Sequence, residues 1–143
     1  MKSSIIIMAL VAAPPCWAVL GSPPSLTGPA VQSSTASTAS GVSYTDLQSQ
    51  LPNGTVVHEY ANASGTVFAV AWSGPFQPDL KALLGPWFET YTGQAAQRKD
   101  AGHSHMAVRD ADLAVVSTGR MGAFQGRAWL ASLLPKDFNP EMR

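Results

Sequence analysis

The dipeptide Asn53-Gly54, set between stretches of alternating character, constrains what this chain can fold into more than any other feature. Asn followed by Gly tolerates the positive φ angles that a tight hairpin needs. After it, Val56, His58 and Tyr60 fall on one side of a period-two pattern, with Thr55, Val57 and Glu59 on the other. A strand is therefore expected after the turn, paired with a weaker strand over residues 42–50. Ala61-Asn62-Ala63-Ser64-Gly65 repeats the punctuation. A third strand over residues 66–72 then puts Phe68, Val70 and Trp72 on one face and Val67, Ala69 and Ala71 on the other. Being apolar on both sides, it belongs at the centre of a sheet.

The period changes after Ser73-Gly74-Pro75. Leu80, Leu83, Leu84, Trp87, Phe88 and Tyr91 recur at the spacing of one helix face. Pro78 or Asp79 suits its first turn and Gly93 its stop, while Pro86 removes one backbone hydrogen bond and predicts a kink. Residues 94–106 read as a frayed end and a loop. Two more strands are expected over residues 112–117 and 121–130, turning at Thr118-Gly119-Arg120, before an irregular tail from Leu133. The order strand-strand-strand-helix-strand-strand predicts an α+β fold, an antiparallel sheet of about five strands with one amphipathic helix on one face. A chain of 143 residues has room for one such domain.

The N-terminus reads as an export signal: Lys2, nine apolar residues over 5–13, then Pro14-Pro15-Cys16-Trp17-Ala18. Cleavage is expected between Ala18 and Val19, and Pro15 argues against lipidation of Cys16. The apolar run covers about half of a ~30 Å hydrocarbon core, so no stable membrane insertion is expected after cleavage. Residues 19–41, almost wholly Ser, Thr, Ala, Pro and Gly, read as a flexible leader to a domain spanning 42–143. The expected destination is the periplasm or the medium. Nine basic side chains balance nine acidic ones, which leaves no cationic excess for nucleic acid.

Four stretches in order carry a family resemblance. They are Leu51-Pro52-Asn53-Gly54-Thr55-Val56-Val57-His58-Glu59-Tyr60, Gly65-Thr66-Val67-Phe68-Ala69-Val70-Ala71-Trp72, Pro78-Asp79-Leu80-Lys81-Ala82-Leu83-Leu84-Gly85, and Gly126-Arg127-Ala128-Trp129-Leu130-Ala131-Ser132-Leu133-Leu134-Pro135. Together they resemble a family of small exported proteobacterial proteins, the domain of unknown function number 2844, from about residue 42 to the end. The resemblance implies a bacterial envelope or secreted location. It brings no activity, cofactor or catalytic residue with it.

The densest set of potential metal ligands is Asp100, His103, His105, Asp110 and Asp112, of which His103, His105 and Asp110 are the better candidates. They lie in a polar loop with no framework to preorganise them, so no metal and no cofactor is expected. His58 with Asp46 could supply the acid-base half of a triad, although no spacing singles them out. Gly119, Gly122 and Gly126 with Arg120 and Arg127 do not open a helix, so they read as a hairpin glycine followed by strand glycines that let the helix or an aromatic ring approach closely, rather than as a phosphate loop. On the last strand, Arg127 and Trp129 project together away from the helix if Ala128 and Leu130 meet it, which makes them a candidate interaction surface; the equal alternative is that the C-terminal segment covers Trp129 through Leu133 and Leu134. Two functional classes follow. The favoured one is an exported, non-enzymatic binding or accessory module that contacts an envelope protein or polymer. The alternative is a small periplasmic hydrolase or metal-dependent enzyme using the His103 and His105 loop.

Overall fold

Three hairpins of this chain are built on the same turn. Thr38, Leu51 and Asn62 each start one, and each accepts a hydrogen bond at 2.9 Å from the amide of a glycine three residues later. Those glycines, Gly41, Gly54 and Gly65, have φ between 79° and 89°, which costs a residue without Cβ nothing. Side chains reinforce two of the turns. Asn53 Oδ1 accepts from the Thr55 amide, and Asn62 Oδ1 from those of Ser64 and Thr66, all at 3.0 Å.

The computed structural model describes residues 20–25, 30–98 and 105–140. The strands are β1 (Gln32–Ser37), β2 (Ser43–Gln50), β3 (Val56–Ala61), β4 (Val67–Gly74), β5 (His105–Asp110), β6 (Leu113–Arg120) and β7 (Ala123–Leu130). They form one antiparallel sheet in the order β1-β2-β3-β4-β7-β6-β5. The α+β class agrees with expectation, but the sheet has seven strands rather than five. The two additional strands are the edges, β1 from the expected leader and β5 from the expected loop. Both pair through backbone groups, which any composition supplies, and β1 exposes nearly all of its polar side chains.

Asp79 caps the helical region, its Oδ1 accepting from the amides of Lys81 and Ala82 at 3.0 and 3.2 Å. The single kinked helix of the expectation is two helices, α1 (Leu80–Leu84) and α2 (Phe88–Gln97), joined by a 3-10 turn, Gly85–Trp87. Gly85 ends α1 with φ 53° and Pro86 enters the next turn where no amide donor is needed. α2 runs past Gly93 to Gln97, so that glycine is not the stop. The β6 to β7 turn is Met121-Gly122, not Thr118-Gly119-Arg120, since Gly119 pairs with Phe124 inside the ladder.

The sheet separates two cores, and a bulge decides which of them Phe68 joins. Tyr60 pairs with Ala69 and Ala61 with Val67, which leaves Phe68 as an extra residue in β4. The alternation expected for this strand is therefore corrected: Val67, Val70 and Trp72 lie on the helix side, and Phe68, Ala69 and Ala71 on the opposite side. On the first side Leu80, Leu83, Leu84 and Tyr91 pack on Val57, Val70, Val115 and Ala128. On the second, Tyr44, Tyr60, Phe68 and Trp129 pack with Leu134 and Phe138 from the C-terminal segment.

The stretch read as a flexible leader also departs from that expectation upstream of β1. Leu20 is 1% exposed within the first core. The Leu20 amide donates to Leu83 at 3.2 Å, that of Gly21 to Val67 at 2.9 Å, and that of Val67 to Ser22 at 2.9 Å. Ser25 donates from its amide and hydroxyl to the fully buried carboxylate of Glu59, at 3.1 and 2.9 Å. One apolar residue and a set of backbone bonds dock a segment whose composition gives no sign of it.

Leu84→Ala is expected to cost ~2–5 kcal/mol in denaturant unfolding, because Leu84 is fully buried between α1 and the sheet. Phe88→Ala should cost less, since that ring is only half-buried. Burial pushes the Tyr91 hydroxyl above its ordinary 10.0. The neutral phenol thus contributes stability that is whole below about pH 10 and is lost as pH rises through the higher folded value. Tyr91→Phe should remove that share of the alkaline destabilisation in a comparison of unfolding at pH 8 and pH 11.

Candidate functional site

The helices cover one face of the sheet, and the C-terminal segment covers part of the other. Phe138 seats it, with ring centroids 4.9 Å from Phe68, 5.1 Å from Tyr44 and 5.6 Å from Tyr60. Arg127 Nη1 donates to the Pro140 carbonyl at 2.7 Å and holds the segment further along. Trp129 lies beneath it at 6% exposure, packed with Leu133 and Leu134. Of the two readings of Trp129, the structure has the covered one: the ring is core beneath the C-terminal segment, and of the pair only Arg127, half-buried, borders open surface.

Beyond the covered part, register and alternation place polar side chains in rows across the second face. Ser73 pairs with Gln125, Gln125 with Thr118, and Thr118 with His105, which makes one cross-strand row over β4, β7, β6 and β5. Arg127 lies one step to one side of this row along β7, and Arg120 one step to the other along β6. An open groove of about 690 Å³ is lined by Ser73, Thr118, Arg120 and Gln125. A smaller one of about 210 Å³ shares Thr118 and Gln125 with it and reaches Arg127. Alternation along the last strand puts Gln125 on the side of Arg127, but Thr118 joins it only once the β6 to β7 hairpin is placed at Met121-Gly122, and Ser73 only through the β4 to β7 register, so sequence reasoning missed both.

The glycines nearby thin the sheet. A Cβ on Gly119 would collide with the Phe124 ring, and one on Gly126 with the Trp72 ring and the Val116 carbonyl oxygen. Close approach of an aromatic ring accounts for both: for Gly126 it is one of the two approaches expected of a strand glycine, while Gly119, expected in the hairpin turn, is a ladder residue instead.

On the same face, across β2 and β3, His58 Nδ1 and Asp46 Oδ1 are 2.9 Å apart, and the imidazole stacks on Tyr60 at a 12° interplanar angle. The structure thus brings together the pair that sequence spacing left unselected. A carboxylate on Nδ1 fixes the tautomer and the ring plane. No serine hydroxyl bonds this ring among the described residues.

The metal candidates do not converge where they are described. His105 and Asp110 stand at opposite ends of β5, roughly 17 Å apart, and alternation sends them to opposite faces. Asp112 accepts from the Ser132 amide and hydroxyl at 2.6 and 2.8 Å and so anchors the turn after β7. Asp100, His103, Ala18 and Val19 lie outside the described residues. Among the described residues no three His, Cys, Asp or Glu side chains gather as a metal site, and no helix is long and apolar enough to cross a membrane.

Over residues 16–142 the chain matches the family described as protein of unknown function (DUF2844). No curated protein and no solved structure matches it.

Phe138→Ala should release the C-terminal segment and lower stability by about 2 kcal/mol or more, short of the ~3–5 of a fully buried Phe. Phe76→Ala, at a ring 57% exposed, should stay within about 0.5 kcal/mol. Denaturant unfolding checks both, and amide exchange should quicken in β3 and β4 for the first variant alone.

Proposed function

The chain belongs to the protein family of unknown function DUF2844, and on that footing we propose that it is an exported, non-enzymatic binding or accessory module of the bacterial envelope. The observation that carries this reading is the second sheet face. Its apolar half is closed by the C-terminal segment, while its other half presents Ser73, Gln125, Thr118 and Arg120 in open grooves. A rigid, half-covered sheet face of this kind suits contact with another envelope component, protein or polymer. The order of Lys2, the apolar run and Ala18 supports export. Cleavage between Ala18 and Val19 keeps Leu20, whose side chain fills the first core.

The hydrolytic alternative draws on the Asp46 and His58 pair, a geometry suited to proton transfer. Turnover of ester or phosphoester substrates by the wild type, lost in His58→Ala with the fold retained, would decide for it.

Mass spectrometry of the protein recovered from its native cells should find a chain beginning at Val19 in the periplasm or medium. A photo-crosslinking residue at Gln125 should give a specific adduct, and one at the exposed Lys81 on the helix side should not. An intact Met1, or equal adducts from both positions, would count against the module reading.

A further inference from the structure

The grooves of the second face carry charge of one sign. Arg120 and Arg127 bound them, no Asp or Glu lines either groove among the described residues, and no carboxylate there pairs with either guanidinium. Arg127 spends one of its five donors on the Pro140 carbonyl and keeps the rest. Arg120 lies four residues beyond Val116, the register partner of Arg127, which puts the two Cα atoms roughly 14 Å apart. Side chains on one sheet face stand roughly perpendicular to it, so at that spacing the two guanidinium groups are set to meet separate groups rather than one compact anion.

Resting on the binding-module reading, we infer that the groove binds a linear acidic polysaccharide, with one carboxylate at each arginine and sugar hydroxyls on the row between. The guanidinium fork matches a carboxylate with two parallel N–H donors. Ser73 and Thr118 hydroxyls, the Gln125 amide and the His105 imidazole each donate and accept, as sugar hydroxyls do. A protein partner would instead seek an aromatic anchor; Trp129 lies beneath the C-terminal segment, and the Phe124 ring at the larger groove is half-buried against Gly119. The whole chain has a formal net charge of zero, so bulk attraction for polyanions is weak and local geometry governs binding.

The test is calorimetric titration of the mature protein with oligogalacturonate, with dextran of similar length as the neutral control and poly-glutamate as the acidic peptide. Oligogalacturonate should bind, weaken steadily with added NaCl, and lose about tenfold or more in affinity in Arg120→Ala. Gln125→Ala should weaken it by a smaller factor, and Lys81→Ala should leave it unchanged. Arg120 is exposed, so its variant keeps the wild-type unfolding midpoint. Arg127→Lys keeps the charge but not the fork and should also weaken binding. Absence of binding, equal binding of dextran, or an Arg120→Ala variant equal to wild type would overturn the inference. Tighter binding of poly-glutamate would overturn it in favour of an acidic protein partner. A specific Gln125 crosslink in cells without polysaccharide binding would leave the module reading standing and refute the ligand class alone.

Discussion

The extra residue at Phe68 is the feature on which the rest of this architecture depends. In a regular strand Phe68 would share a face with Val70 and Trp72 under the helices. The bulge returns it to the opposite side beside Ala69. A central strand apolar on both sides obliges the fold to cover both faces. The helices and the segment around Leu20 serve the first, and only the C-terminal segment remains for the second. Its Phe138 reaches a ring cluster that exists because Phe68 joins Tyr44 and Tyr60 there.

That cover is short, and its extent sets where function can reside. Phe138 and the bond from Arg127 to Pro140 close the aromatic half of the second face and stop at Arg127. Past it the residues in register are small or polar, and the strands beneath them are thinned by Gly119 and Gly126 so that the Phe124 and Trp72 rings can approach the backbone closely. A glycine pattern that suggests an anion loop is therefore a packing device. The cations beside it remain available because no described acid neutralises them.

The helix face of the sheet is fastened by a buried acidic side chain. Glu59 is fully enclosed and takes two hydrogen bonds from Ser25. A polar side chain removed from water at that depth is costly unless its oxygens are hydrogen-bonded, so the segment that supplies two of those bonds is held in place by the penalty of leaving. In the sequence Glu59 is only the polar member of an alternating strand.

What the sequence by itself determined is what neighbours along the chain can determine. Asn53-Gly54 and Asn62 to Gly65 specify hairpins through the φ angles of their own residues. The spacing from Leu80 to Tyr91 specifies an apolar helical face, and Pro86 a kink within it that the structure turns into a division between two helices. Together these settle the α+β class. The edge strands β1 and β5, the bulge, the true β6 to β7 turn, the burial of Trp129 and the meeting of Asp46 with His58 were decided by tertiary structure alone. Each rests on backbone pairing or face selection between segments far apart in sequence. A polar strand pairs through amides and carbonyls that every residue carries, and one inserted residue inverts an alternation without changing composition. The row from Ser73 to His105 joins four strands, and no local pattern encodes a register shared among four partners.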